Sequence, residues 1–420
     1  MIAGMVRELA TAACVAARGL AVAPSDLKNL ALAAMADALW SSRAEMLSAN
    51  ALDLADAKSA RCATAFLDRL ALDESRIEKM VAGVRQVAGL PDPVGEISGM
   101  WRRPNGLLIG RMRVPLGVIG IIYEARPGVT ADTAALCLKS GNAVILKGGR
   151  EAIRSNRVIA SLLAEAAAAN GLPKGSVAFI DSVDREAVTH LVGLTGLVDL
   201  IIPRGGEELV RTVQRTSTIP VLAHEKGLCH TYVDEGADLA MAEAVAFNAK
   251  VERPGVCNAM ESLLVHERVA SAFLPAMIQR LHEAGVEVRG CSRTQALAPG
   301  VVPANETDWD TEYLDLILSV KVVGSFEEAV AHIAEHGSGL AEAIVTADHG
   351  RAMRFLREVD AGAVFVNAST RFTDGGEFGM GAEMGISTQK LHARGPVGLT
   401  ELTCQKFIVL GEGQVRDSNK

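Results

Sequence analysis

Apolar residues recur three and four positions apart through residues 5–90, as at Leu27, Leu30, Ala31, Ala34, Met35 and Leu39. In a background rich in Ala, Leu, Glu and Arg, that period predicts several amphipathic helices. From about residue 96 the pattern shifts to short alternating runs. Asn105-Gly106 lies between Trp101 and Leu107-Leu108-Ile109, the signature of a tight hairpin and so of a two-stranded ribbon. An isolated ribbon is marginal in water and exposes two strand edges, so this one is expected to dock on another domain or subunit. Beyond it, near-continuous apolar segments at 117–122, 143–147, 176–180 and 198–202 alternate with helical stretches in a β-α-β-α-β-α-β order. Strands buried on both faces and separated by helices predict a doubly wound parallel sheet, with ligands gathered at the carboxyl ends of its strands. A nucleotide cofactor is the default ligand of such a sheet. Pro220, Gly227 and Gly236 mark the passage into a second α/β segment, with strands expected near 262–265, 319–323, 343–346 and 363–367. A glycine-rich stretch through Gly375, Gly376, Gly379, Gly381 and Gly385 precedes a last apolar strand, 407–410, that could pair with the ribbon.

Composition narrows the class. A chain of 420 residues with 49% hydrophobic content has room for two or three domains and a large core. With 42 Lys and Arg against 50 Asp and Glu the net charge is -8, so broad attraction to nucleic acid or an anionic membrane is not expected, and any anionic ligand must be gripped locally. Seven cysteines at irregular spacing suit reduced thiols in the cytoplasm rather than a disulfide scaffold. No run approaches the roughly 18 apolar residues of a membrane span, and the Ala-rich start is bracketed by Glu8 and Arg18, as in an ordinary amphipathic helix.

Cys257 carries the most chemical information. It lies in the run Glu252-Arg253-Pro254-Gly255-Val256-Cys257-Asn258, a Pro-Gly turn between two apolar segments. A thiol on such a turn is open to substrate and to backbone N–H groups that favour thiolate; the alternative is a small core residue at a bend. Two strand ends resemble cofactor contacts: Lys147-Gly148-Gly149-Arg150, and Arg204-Gly205-Gly206 ahead of a helix. Glycines let backbone approach phosphate, a helix N-terminus favours it, and the cations near Lys147 and Arg150 favour a 2′-phosphate, hence NADP over NAD, although Glu151 adjoins them. Gly379-Met380-Gly381 through Gly385 imitates a dinucleotide fingerprint with no βαβ unit after it, and reads as a flexible or substrate-facing loop. His332 and His336 match a zinc spacing without a third ligand, and alternation along a strand divides His224, Cys229 and His230 between faces, so no metal is expected.

The segments 114–130, 252–257, 366–376 and 391–396, among them Tyr123-Glu124-Ala125-Arg126-Pro127 and Asn367-Ala368-Ser369-Thr370-Arg371, closely resemble the γ-glutamyl phosphate reductases, a family similar in turn to the aldehyde dehydrogenase superfamily. The resemblance runs over essentially the whole chain. It implies an α/β, aldehyde-dehydrogenase-like fold: an NADP-binding domain at 1–95 and 115–230, a catalytic domain at 231–390, and a β-ribbon oligomerisation flap at 96–114 and 391–420. It also implies NADPH-dependent reduction of L-glutamyl 5-phosphate to L-glutamate 5-semialdehyde. In that comparison Cys257 falls on the nucleophile, Lys147 on the lysine near the adenosine ribose, Gly205 and Gly206 on the turn under the diphosphate, and Glu312 on the glutamate at the nicotinamide ribose. Ser369, Thr370 and Arg371 fall in the substrate loop, and Arg126 with Arg371 could clamp the substrate's anionic groups, each with a structural ion pair as the alternative. Ala125 stands where aldehyde dehydrogenases usually carry an oxyanion-binding asparagine. That load therefore passes to the Cys257 backbone N–H and to Asn258. Glu225 coincides by position with the general base of hydrolytic relatives, a role a phosphate-releasing enzyme would not want. Expected partners are the substrate, glutamate 5-kinase as its source, and further copies of the chain. A hydrolytic or CoA-acylating dehydrogenase and an inactive oligomeric partner remain the alternatives.

Overall fold

The computed structural model describes residues 1–224 and 226–416. Its contacts divide the chain into two compact units, 1–223 with 380–385 and 397–420, and 224–379 with 386–396. The first boundary falls seven residues before the expected 230/231, and the ribbon belongs to the first unit.

The first unit opens with helices Ile2–Leu20, Ser25–Ser41, Arg43–Ser59, Thr64–Leu70 and Glu74–Gly89. Along Ser25–Ser41 the buried positions are Lys28, Ala31, Leu32, Met35, Ala36 and Leu39, the stripe of an amphipathic helix, while Leu30 lies off that stripe and is 57% exposed. The hairpin follows: β1 (Ile97–Arg102) pairs antiparallel with β2 (Leu108–Pro115). Gly106, at φ +90°, closes the turn by donating its N–H to the Arg103 carbonyl at 2.9 Å. Next come β3 (Val118–Tyr123), β4 (Ala143–Gly148), β5 (Val177–Phe179) and β6 (Leu200–Arg204), all parallel, in the order β5-β4-β3-β6. Every residue of β3 and β4 is buried, which is why both read as unbroken apolar runs. The chain steps from β3 to β4 to β5 and then returns to the other side of β3 as β6. The carboxyl ends of β3 and β6 thus flank the switch point where ligands of such sheets bind.

The second unit holds seven parallel strands, β7 (Cys229–Val233), β8 (Met260–His266), β9 (Glu287–Gly290), β10 (Val302–Pro303), β11 (Ile317–Val323), β12 (Ala341–Val345) and β13 (Ala363–Val366). Their order is β10-β9-β11-β8-β7-β12-β13. Alternation along β8 shows how both faces are covered. Leu263 and Val265 pack with Phe273, Leu274 and Met277 of helix Glu267–Glu283, whereas Leu264 packs with Tyr232, Phe326, Ile333 and Phe355. A short antiparallel pair, β14 (Ile386–Ser387) with β15 (Gly395–Pro396), completes the unit.

The chain then rejoins the first unit, where β16 (Thr403–Leu410) pairs antiparallel with β2 along its whole length, from Thr403 opposite Pro115 to Leu410 opposite Leu108. The result is a three-stranded sheet, β1-β2-β16, with Ile97, Met100, Trp101, Phe407, Val409 and Leu410 all exposed. Among the described residues no helix is long and apolar enough to cross a membrane.

Candidate active site

Helix Leu239–Val251 stops three residues before Pro254, whose ring cannot continue it, and β8 starts at Met260. Between them Cys257 stands half-buried on an irregular turn. Gly227 presses on this turn: a Cβ there would meet the Cys257 carbonyl oxygen, Cα and carbonyl carbon. From the same side the buried Cys229 thiol donates to the Cys257 carbonyl at 3.4 Å, and burial raises that thiol well above its ordinary range, so it stays a thiol. Asn258, also buried, gives both amide hydrogens to the far loop, to the carbonyls of Thr373 at 2.9 Å and Arg371 at 3.4 Å. Its side-chain amide is therefore committed to the 371–373 loop, which leaves the backbone N–H groups of the turn as the candidate oxyanion donors.

The loop that follows β13 is built from the same contacts. Ser369 caps a 3₁₀ turn, Thr370–Phe372, accepting the Arg371 N–H, and the Thr370 hydroxyl donates to the Asn258 carbonyl at 2.8 Å. The Arg371 guanidinium donates to Glu252 at 2.7 Å and to the Asn258 side-chain oxygen. Glu252 opens the run that contains Cys257, so Arg371 ties loop to turn; two of its donor groups are engaged by the protein itself. Glu312 accepts the Gly227 N–H at 2.9 Å. Glu225 lies outside the described residues.

In the first unit the cofactor candidates sit on two adjoining strand ends. Gly205 and Gly206 follow β6, and Gly206 caps helix Glu207–Thr216. The Gly206 N–H donates to a Glu124 carboxylate oxygen at 2.9 Å, and a Cβ on Gly205 would strike that carboxylate. An anionic oxygen thus already sits on this turn, which is the chemistry a diphosphate requires. Arg204, half-buried, ends β6, and its carbonyl accepts the Glu124 N–H. At the end of β4, Lys147 is buried with its ammonium on the Gly148 carbonyl at 2.8 Å, and burial lowers its pKa against the pull of Glu151 and Asp184. Glu151 accepts the N–H of Ala125, itself at φ +36°, so its carboxylate is anchored locally. Gly149 would bring a Cβ onto Glu151, and Arg150 is exposed at the start of a 3₁₀ turn. Arg126, exposed, precedes helix Pro127–Lys139.

The histidines find other partners. His332 is buried against Trp309 and His230, with the Lys321 ammonium 3.1 Å from Nδ1; His230 pairs with Glu342 at 3.0 Å, and His224 bonds the Ile386 carbonyl at 2.8 Å. Among the described residues no group of three His, Cys, Asp or Glu side chains could hold a metal ion.

Sequence reasoning missed Gly227, Cys229, Lys250 and Glu261. Lys250 and Glu261, both fully buried, form an ion pair at 2.6 Å on either side of the Cys257 turn. Burial raises the Glu261 carboxyl to about 7 against the pull of Lys250, and burial lowers Lys250. A Lys and a Glu eleven residues apart carry no local sequence signal; the turn between them brings them together.

The aldehyde dehydrogenase family profile matches residues 7–296 and 300–406. The γ-glutamyl phosphate reductase of Thermoanaerobacter pseudethanolicus is 56% identical over 401 residues, covering 96% of this chain and 97% of the relative. That of Carboxydothermus hydrogenoformans is 56% identical over 411 residues, covering 98% and 99%. The crystal structure of γ-glutamyl phosphate reductase from Thermotoga maritima matches with a TM-score of 0.96 at 49% identity, covering 98% of this chain and all of the other. By profile, identity and fold together, the chain belongs to the aldehyde dehydrogenase family, in its γ-glutamyl phosphate reductase branch.

Proposed function

We propose that this chain uses NADPH to reduce L-glutamyl 5-phosphate to L-glutamate 5-semialdehyde and phosphate, the second step from glutamate to proline, with Cys257 as the acyl carrier. The reading rests on identity of 56% across 96% of the chain to proteins of that name. The geometry supports it through a half-buried thiol whose turn is fixed by Gly227 and Asn258.

The Cys257 thiolate supplies an electron pair to the acyl carbon, a C–S bond forms, and the carbon–oxygen bond to phosphate breaks with its electrons leaving on phosphate. Backbone N–H groups of the turn carry the oxyanion while the carbon is tetrahedral. When bound, NADPH supplies the hydride that takes the acyl group to the aldehyde level. Cys257 then leaves as thiolate, ready for the next acyl phosphate. Lys147, Gly148, Gly149 and Arg150 would hold the adenosine ribose and its 2′-phosphate, Arg204, Gly205 and Gly206 the diphosphate, and Glu312 the nicotinamide ribose. Ser369 and Thr370 shape the substrate loop, and Arg371 and Arg126 are the cations offered to the substrate's carboxylate and phosphate. The exposed apolar side chains of β1-β2-β16 support a homo-oligomer. Glutamate 5-kinase, as the source of a labile acyl phosphate, is the partner for a direct handover.

The test is reduction of NADP by the purified chain with glutamate 5-semialdehyde, with and without phosphate. A rate that requires phosphate and vanishes in Cys257→Ser, which still binds NADPH, supports the reading. A phosphate-independent rate points to a hydrolytic dehydrogenase, and no rate with NADP or NAD points to an inactive partner.

A further inference from the structure

Cys257 and Glu312 lie on separate segments of the second unit, and a closed circuit of contacts fixes one relative to the other. On one side, the Gly227 N–H donates to Glu312 while Gly227 packs on the Cys257 backbone. On the other side stands Glu261. One of its oxygens accepts the Lys250 ammonium at 2.6 Å, and the other accepts the Leu314 N–H at 3.1 Å. Lys250 is in the last turn of the helix entering the nucleophile turn, Glu261 is the second residue of the strand leaving it, and Leu314 is two residues beyond Glu312. Leu314 also has φ +54°, a left-handed conformation that a leucine rarely takes unless its surroundings impose it.

A fully buried ion pair is a poor stability device, because desolvation of both charges offsets most of their attraction. This pair does something an apolar pair of equal volume could not. Its carboxylate has two oxygens, and it uses them on two different segments at once. We propose that Glu261 is a positioning residue: through the Leu314 N–H it sets Glu312, and with it the nicotinamide ribose, in register with Cys257. Lys250 neutralises the buried carboxylate. The inference rests on the cofactor role of Glu312 given above.

Two double variants separate register from charge. Lys250→Met with Glu261→Gln removes the ion pair and keeps an acceptor for Leu314. Lys250→Met with Glu261→Met removes both at nearly the same volume. Each is followed by thermal unfolding, NADPH fluorescence titration, alkylation of Cys257 by iodoacetamide, and the burst of NADPH formed on mixing with glutamate 5-semialdehyde and NADP before any phosphate is added. We expect the Gln variant to keep NADPH affinity and burst rate within about threefold of wild type. We expect the Met variant to keep its alkylation rate, bind NADPH more weakly, and lose about a hundredfold in burst rate, the scale of a misplacement near 1 Å. Equal NADPH titrations and bursts in the two variants overturn the proposal. Failure of the wild-type chain to bind NADPH overturns the cofactor reading, and the proposal with it. Should the Met variant not fold, Glu261→Gln alone decides: it leaves Lys250 unpaired and lowers the unfolding temperature. A burst rate within about threefold of wild type in its folded form supports the proposal, and a loss near a hundredfold refutes it.

Discussion

Gly227→Ala adds one methyl group against the backbone of Cys257. Gly227 is not among the residues with left-handed φ, so alanine fits its backbone, and the effect of the change comes from what the new Cβ meets. That atom would lie 2.5 Å from Cys257 Cα and 2.6 Å from its carbonyl carbon, and closer still to the carbonyl oxygen. Non-bonded carbons rest at about 3.5–4.0 Å, so the two segments must part by about 1 Å. Overpacking of this kind costs about 1–3 kcal/mol of stability. A nucleophile moved by that distance loses about a hundredfold in kcat, or about 2.7 kcal/mol of barrier. The Gly227 N–H that holds Glu312 would shift with it, so NADPH affinity should also fall. The assay is phosphate-dependent NADP reduction with glutamate 5-semialdehyde, alongside thermal unfolding and NADPH titration. A Gly227→Ala protein with kcat within about threefold of wild type and an unchanged unfolding temperature would refute the claim that this contact sets Cys257.

Burial pushes His332 down to about 2, with His230, Lys321 and His336 acting in the same direction. The folded chain therefore keeps it neutral while the unfolded chain takes up a proton below about 6.5, so this contribution is present above that value and is lost as pH falls. Between pH 7 and pH 5 it amounts to about 2 kcal/mol, and His332→Phe should remove that much of the acid sensitivity in urea unfolding. An identical pH dependence in the variant would count against it. Glu225→Gln should leave phosphate-dependent turnover largely intact, since activated water would hydrolyse the acyl-enzyme; a loss of several orders of magnitude would make Glu225 catalytic after all.

The strands of the first parallel sheet and the turn at Cys257 were both legible along the chain because each leaves a local mark. β3 and β4 are buried on both faces and so appear as unbroken apolar runs, and Asn105-Gly106 has few uses other than a tight turn. β9 was missed, and β7 was noticed only as a strand beside Cys229 and His230 without bounds, for a related reason. Cys229-His230-Thr231-Tyr232-Val233 is fully buried yet mixed in polarity, because His230 Nδ1 pairs with Glu342 and the Tyr232 hydroxyl donates to Asp234. In β9, Arg289 donates to both Glu287 and Asp308, so charge masks a strand only four residues long. Hydrophobicity reports burial only where polar side chains lack partners, and partners from distant segments leave no trace in a sequence window.

The site divides along the same line. Cys257 could be picked out because a thiol, a proline and a glycine fall within four residues of one another. What holds it could not, because Gly227, Glu261, Leu314 and Arg371 reach the turn from four separate segments. Arg371 shows the consequence. Read as a cation in a substrate loop it is a clamp; in the fold it donates to Glu252 and Asn258, and so spans the start and the end of the Cys257 run. Those two bonds direct the guanidinium and reduce what it can offer a ligand. Replacing Arg371 would therefore disturb the turn as well as the substrate, whereas Glu252→Gln removes one anchor and leaves the cation in place. If Arg371 acts on substrate, Glu252→Gln should change KM for glutamate 5-semialdehyde while Cys257 alkylation stays at the wild-type rate. If it acts only as a tie, the alkylation rate should move and KM should not.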